Sequence, residues 1–111
     1  MAGTDDKAPS RQQVFTLVVE VGRKPGDGLP KGATGAALML YASGVDEPEA
    51  VRESVAILKQ ADLAVLEVSG MGTLDERLAG GEDIDEVERG LMARALAENS
   101  VIVAQMTPFY D

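Results

Sequence analysis

The chain contains no cysteine, no histidine and no tryptophan. Without cysteine there is no disulfide, no thiolate nucleophile and no sulfur ligand for a metal. Without histidine it lacks the commonest general base, the commonest zinc ligand and the one side chain that ordinarily changes charge near neutral pH. Aromatic residues are scarce at 4%, so the core has to be assembled from valine, leucine, isoleucine, alanine and methionine. No apolar run approaches the roughly 20 residues that a membrane-spanning helix needs. The first dozen residues carry no apolar segment of the signal-peptide kind. These two observations make a cytoplasmic location the expectation.

Positive charge is also in short supply. Ten Lys and Arg stand against 19 Asp and Glu, a formal net charge of -9. Such a chain repels phosphate backbones and anionic lipid, so neither nucleic acid nor a membrane surface is an expected partner. What is present is ordinary: 111 residues, 45% of them hydrophobic, enough for one modest core without covalent staples.

Residues 1–12 are polar, with glycine, proline and serine, and read as a flexible tail. Residues 13–111 read as a single domain. The run 14–21 is β-branched and apolar on both faces, which marks a well-covered strand. Residues 22–35 hold five glycines and two prolines and read as a loop, long for a hairpin connection. A second strand follows at 36–42. Asp46, Pro48 and Glu49 open a helix in which Val51, Val55 and Leu58 recur at helical spacing. A third strand covers 63–68. Thr73 and Glu76 form a capping box for a short helix closed by Gly80 and Gly81, and a last helix is expected over 82–98, with Asn99 ending it in a left-handed conformation. The fourth strand covers 101–106, with Pro108 as its stop.

The expected class is therefore α+β: a four-stranded mixed sheet, elements in the order ββαβαβ, with helices mainly on one face as a two-layer sandwich. Strand-helix-strand steps favour parallel neighbours. A ferredoxin-like arrangement is a near neighbour, although its strand-strand step in the middle is missing here. One layer of helices leaves the other sheet face bare, and a second copy covering it makes a homodimer the expected assembly.

Five features are candidates for chemistry. Arg23, Lys24 and Lys31 sit in the glycine-rich loop and suit a small anionic ligand, or simply keep the loop solvated. Gly70, Gly72 and Thr73 follow a strand and precede a helix, a place for a ligand or merely a turn with a cap. Gly70-Met71-Gly72-Thr73, with Ile84-Asp85-Glu86-Val87 downstream, resembles small thiamine-binding proteins of ferredoxin-like fold; the likeness is confined to these two stretches. Glu82, Asp83, Asp85, Glu86 and Glu88 form an acidic run without the ligand spacing of a calcium loop, and carboxylates at a helix start complement its dipole. Glu20 and Glu67 lie within apolar strands and are candidates for an acid-base pair. Phe109 and Tyr110 are placed to dock on the sheet or on a partner. No cofactor fingerprint is present and no metal site is expected. The reading that follows is a non-catalytic ligand-binding or protein-binding module. The alternatives are a small dimeric enzyme using carboxylates, arginine and Tyr41 or Tyr110 at a subunit cleft, and a structural subunit of a larger complex.

Overall fold

A computed structural model describes residues 11–110. The tail expected at 1–12 lies outside them, apart from Arg11 and Gln12. The elements are β1 (Gln13–Gly22), β2 (Gly35–Gly44), α1 (Glu47–Gln60), β3 (Ala64–Thr73), α2 (Leu74–Ala79), α3 (Glu86–Glu98) and β4 (Val101–Phe109). The strands form one sheet in the order β3-β1-β2-β4. The fold is α+β with four strands, as the sequence implies.

The pairing differs from the expected mixed sheet: β1 is antiparallel to both β2 and β3, and β2 is antiparallel to β4. The β2-α1-β3 step does produce two strands of like direction. They are not neighbours, because β1 occupies the place between them. A parallel ladder is thereby replaced by two antiparallel ones. Ferredoxin-like connectivity is not reproduced, since α2 follows β3 directly with no second hairpin.

The helices also divide differently. Phe15, Leu17, Val19 and Val21 of β1 join Ala36, Leu38, Leu40 and Ala42 of β2 beneath Ala50 and Leu58 of α1. The alternate residues Val14, Met39 and Tyr41 pack instead with Leu74, Met92 and Ala95, from α2 and α3. Successive strand residues point to opposite faces, so α1 covers one face and α2 with α3 covers part of the other. The cause is already in β1, whose apolar residues at successive positions require cover on both sides. Burial of each such side chain contributes about 1.5–3 kcal/mol before entropy is counted.

Local signals account for most boundaries. Asp46 caps α1 by accepting the Glu49 N–H. Asn99 ends α3 at φ 48°. The last helix begins at Glu86 rather than at 82, because Asp85 is its cap and accepts the Glu88 N–H. Pro108 does not stop β4; the strand runs through it to Phe109, which an edge position tolerates. The buried line of α1 is Ala50, Ser54 and Leu58, with Val51 and Val55 beside it. Small side chains there let the helix approach closely: a Cβ at Gly44 would meet the Ala50 backbone nitrogen at 3.0 Å.

Among the described residues no helix is long and apolar enough to cross a membrane.

The Ser54 hydroxyl, on the same buried line, is fully buried and has no hydrogen-bond partner among the described residues. An orphaned buried polar group costs about 1–3 kcal/mol. Ser54→Ala is therefore expected to raise unfolding free energy by about 1 kcal/mol. Urea denaturation checks this, and a loss of stability would show that the hydroxyl is satisfied in solution.

Candidate functional site

The loop between β1 and β2 is organised from within. Asp27 accepts the backbone N–H groups of Lys24 and Leu29 at 2.8 and 2.9 Å. The Arg23 guanidinium lies on the same carboxylate at 3.0 Å and also donates to the carbonyls of Pro30 and Ala33. The two backbone N–H groups, helped by Arg23, hold the Asp27 carboxyl down at about 2 against the opposing effect of burial. Arg23 is thus committed to the loop. Lys24 and Lys31 remain exposed at its surface.

The second candidate is likewise structural in its local geometry. Gly72 has φ +99°, and a Cβ there would meet the Glu76 carboxylate at 2.8 Å. Gly70 packs directly against the Glu47 carboxylate. Thr73 and Glu76 make the full reciprocal capping box of α2. Thr73 also lines an apolar groove of about 330 Å³ with Val14, Leu74, Met92 and Leu96, on one flank of α3. Of its polar side chains, Thr73 caps α2 and Arg89 Nε donates to the Ile84 carbonyl at 3.1 Å, while Gln13 and Asp75 complete the lining.

Glu20 and Glu67 prove to be cross-strand partners in the β1–β3 ladder, and both side chains are exposed. Like charges facing across a ladder are mildly destabilising. Phe109 ends β4, where its carbonyl accepts the Thr34 N–H at 2.8 Å, while Tyr110 is exposed. The acidic run divides: Asp85 caps α3, whereas Glu82 and Glu88 turn to a buried arginine.

That arginine is Arg77, and it builds the most distinctive constellation in the molecule. It stands on α2 one turn beyond Leu74, on the helix face turned to the sheet. Its side chain is only 7% exposed. Nη1 donates to Thr16 Oγ1 at 2.9 Å, Nε donates to Glu82 Oε1 at 2.9 Å, and Nη2 lies 3.4 Å from Glu88 Oε1. Tyr41 on β2 donates its hydroxyl to the same Glu88 oxygen at 2.7 Å. Burial works against the Arg77 charge, and the two carboxylates more than restore it. Burial first, and then the bond to Glu88 and its charge, push the Tyr41 phenol up to about 12. Tyr41 is therefore a fixed hydroxyl donor at neutral pH, not a base.

These residues floor a groove of about 330 Å³ on the other flank of α3, walled by Met39, Val87, Leu91 and Ala104, with Asp85 and Gln105 at the sides. Of the three that line it, Tyr41, Arg77 and Glu88, the most accessible is Glu88, with its side chain 27% exposed. Its Oε1 receives both bonds; among the described residues Oε2 receives none. Tyr41 was visible in the sequence as a candidate and Glu88 as part of the acidic run. Arg77 was not singled out. Its cue is the spacing from Leu74, which puts a cation where an apolar helix would place a core residue. Among the described residues no three acidic side chains converge as a metal site.

Two titrations test this electrostatic picture. The lowered Asp27 carboxyl contributes stability that is present above its unfolded value of 3.8 and is lost as pH falls through about 2. The stability gap between the natural chain and Asp27→Ala is expected to shrink across that window in urea unfolding. The raised Tyr41 phenol contributes stability present below 10.0 and lost as pH rises through about 12. In a Tyr110→Phe background, phenolate absorbance should therefore develop near 12; a midpoint near 10 would mean that Tyr41 is neither buried nor bonded to Glu88.

No curated protein and no solved structure matches the chain. A family model described as a domain of unknown function (DUF8846) matches residues 14–110, and with almost the whole described fold inside that match the chain belongs to this family.

Proposed function

We propose that the domain is a non-catalytic binding module, and that its ligand is a small molecule with a cationic or hydrogen-bond-donating nitrogen on an apolar body. The observation that carries this reading is the open carboxylate oxygen of Glu88 at the floor of an apolar-walled groove. Two carboxylates, from Glu82 and Glu88, stand on the single guanidinium of Arg77, and Asp85 adds a third negative charge to the lining of the groove. The local balance is negative, as is that of the whole chain, and it favours a cation over an anion. Concave, mostly apolar sites with a few convergent polar groups are where small ligands bind.

The enzyme alternative finds less support. Tyr41 retains its proton at neutral pH, and Arg77 is spent on two carboxylates and Thr16. No nucleophile stands beside a base among the described residues of the groove. The anionic-ligand reading rests on Lys24 and Lys31 once Arg23 is bound within its loop.

The test is calorimetry with matched probes: an arylalkyl amine, the alcohol of the same shape and the corresponding carboxylate. The amine is expected to bind saturably and to raise the melting temperature by several degrees at about 100 times its Kd. Glu88→Gln should weaken that binding at least about tenfold, the loss of one charge-assisted bond. Ala104→Phe, which fills the groove without touching the polar cluster, should abolish it. Binding that survives both changes, or preference for the carboxylate, would refute the proposal.

A further inference from the structure

The groove that holds Glu88 continues along the sheet. Met39 and Gln105, which line it, also line a second depression of about 130 Å³, together with Val18, Ala37 and Thr107. Met39 is the ladder partner of Val18 on one side and of Gln105 on the other, and Ala37 is the partner of Thr107. Residues so paired, and those two apart on a strand, share a face, which here is the face that carries α2 and α3. Gln105 and Thr107 are exposed, and Val18, Ala37 and Met39 are half-buried. Gln105 Nε2 donates to Thr107 Oγ1 at 3.5 Å, which leaves the Gln105 amide oxygen as the acceptor of this stretch.

This track ends on a pair of carboxylates. Glu20 is the β1 partner of Ala37, and Glu67 of β3 is in turn the partner of Glu20. Both lie on the same face as the two depressions. Their facing charges oppose the ladder that joins them, and among the described residues no arginine or lysine pairs with either. Tyr41, which fixes Glu88, and Ala37, which adjoins Glu20, are four residues apart on β2. That spacing is about 13 Å at the rise of a β-strand. A negative centre therefore stands at each end of a mostly apolar track: Glu88 at one, Glu20 with Glu67 at the other.

We infer that the ligand of this groove is a linear oligoamine: an unbranched aliphatic chain with a protonated nitrogen at each end, laid along β2. One terminal ammonium meets the open oxygen of Glu88, and the other sits between Glu20 and Glu67. The inference rests on the reading of the groove given above and adds to it a second charge, a length and a shape. Methylene segments lie over Met39, Ala37 and Val18, and the Gln105 amide oxygen accepts from an inner nitrogen. An ammonium between Glu20 and Glu67 replaces their repulsion by two charge-assisted bonds. The formal charge of -9 also draws a polycation toward the protein.

The test is calorimetry of the full chain with spermidine, the shorter diamine putrescine and the monoamine hexylamine. Spermidine is expected to bind saturably at one site. Putrescine, too short to reach both negative centres, should bind at least about tenfold more weakly. Glu20→Gln with Glu67→Gln should weaken spermidine by about tenfold or more and leave hexylamine unchanged, whereas Glu88→Gln should weaken both. Glu53→Gln with Asp62→Asn removes the same charge on and just after α1, and should leave spermidine binding within about twofold. Loss of the Glu20–Glu67 repulsion should make that double variant at least as stable as the natural chain in urea, so lost binding is not lost folding. Spermidine binding that ignores Glu20 and Glu67, or that falls equally with Glu53 and Asp62, would overturn the inference; hexylamine binding that still depends on Glu88 would then leave the single-amine reading standing. Absence of binding by any amine would overturn both.

Discussion

Everything in this fold answers to the fact that β1 is apolar on both sides. Phe15, Leu17, Val19 and Val21 point one way, and Val14 and the buried Thr16 point the other. A strand of this kind has to sit inside a sheet and be covered twice. With β2 on one flank and β3 on the other, β1 is interior. The cover then comes from α1 on one face and from α2 with α3 on the second. A single helical layer would have left half of that apolar surface in water, at about 25 cal/mol for each Å².

The second cover is thin. α2 has six residues, too short to hold by helix propensity alone. It is secured by its capping box and by Arg77, whose fork reaches Thr16 beneath it and Glu82 and Glu88 beside it. A buried guanidinium without partners would cost several kcal/mol. The carboxylates that neutralise it come from the segment running into α3 and from α3 itself, so the arginine ties both helices to β1. The groove and its accessible Glu88 oxygen follow from that tie: the carboxylate is held where it can bridge Tyr41 and Arg77, and one of its oxygens is left over.

Much of the fold was legible because it rests on local signals. Asp46, Thr73 and Asn99 end or begin helices by short-range hydrogen bonding and backbone conformation, which a sequence shows directly. The strands were legible from β-branched runs. What was not legible depends on who sits beside whom. Nothing local says that β1 will separate β2 from β3, so the parallel pairing implied by the strand-helix-strand step was a reasonable expectation that long-range pairing overrode. The two-sided cover was implied by the β1 pattern, yet it was outweighed by the simpler layering. At the site, Tyr41 and Glu88 could be named but not joined, being 47 positions apart. Arg77 went unnoticed because a buried cation reads as a surface one until its partners are known.

The position of β1 has a consequence for how the chain reaches its native state. β2 and β3 run in the same direction and are linked by a helix, the very connection that ordinarily makes such strands neighbours. If they met first, β1 would have no place left and the sheet would close wrongly. β1 precedes both, and its antiparallel partner β2 is the next strand along, so this hairpin is the more local contact and the faster to form. On a chain emerging from the ribosome, both strands of this hairpin are free to pair before β3 emerges to compete for the same edge of β2. Chain order here acts as a kinetic safeguard, selecting between two sheets that the same helix linker would permit.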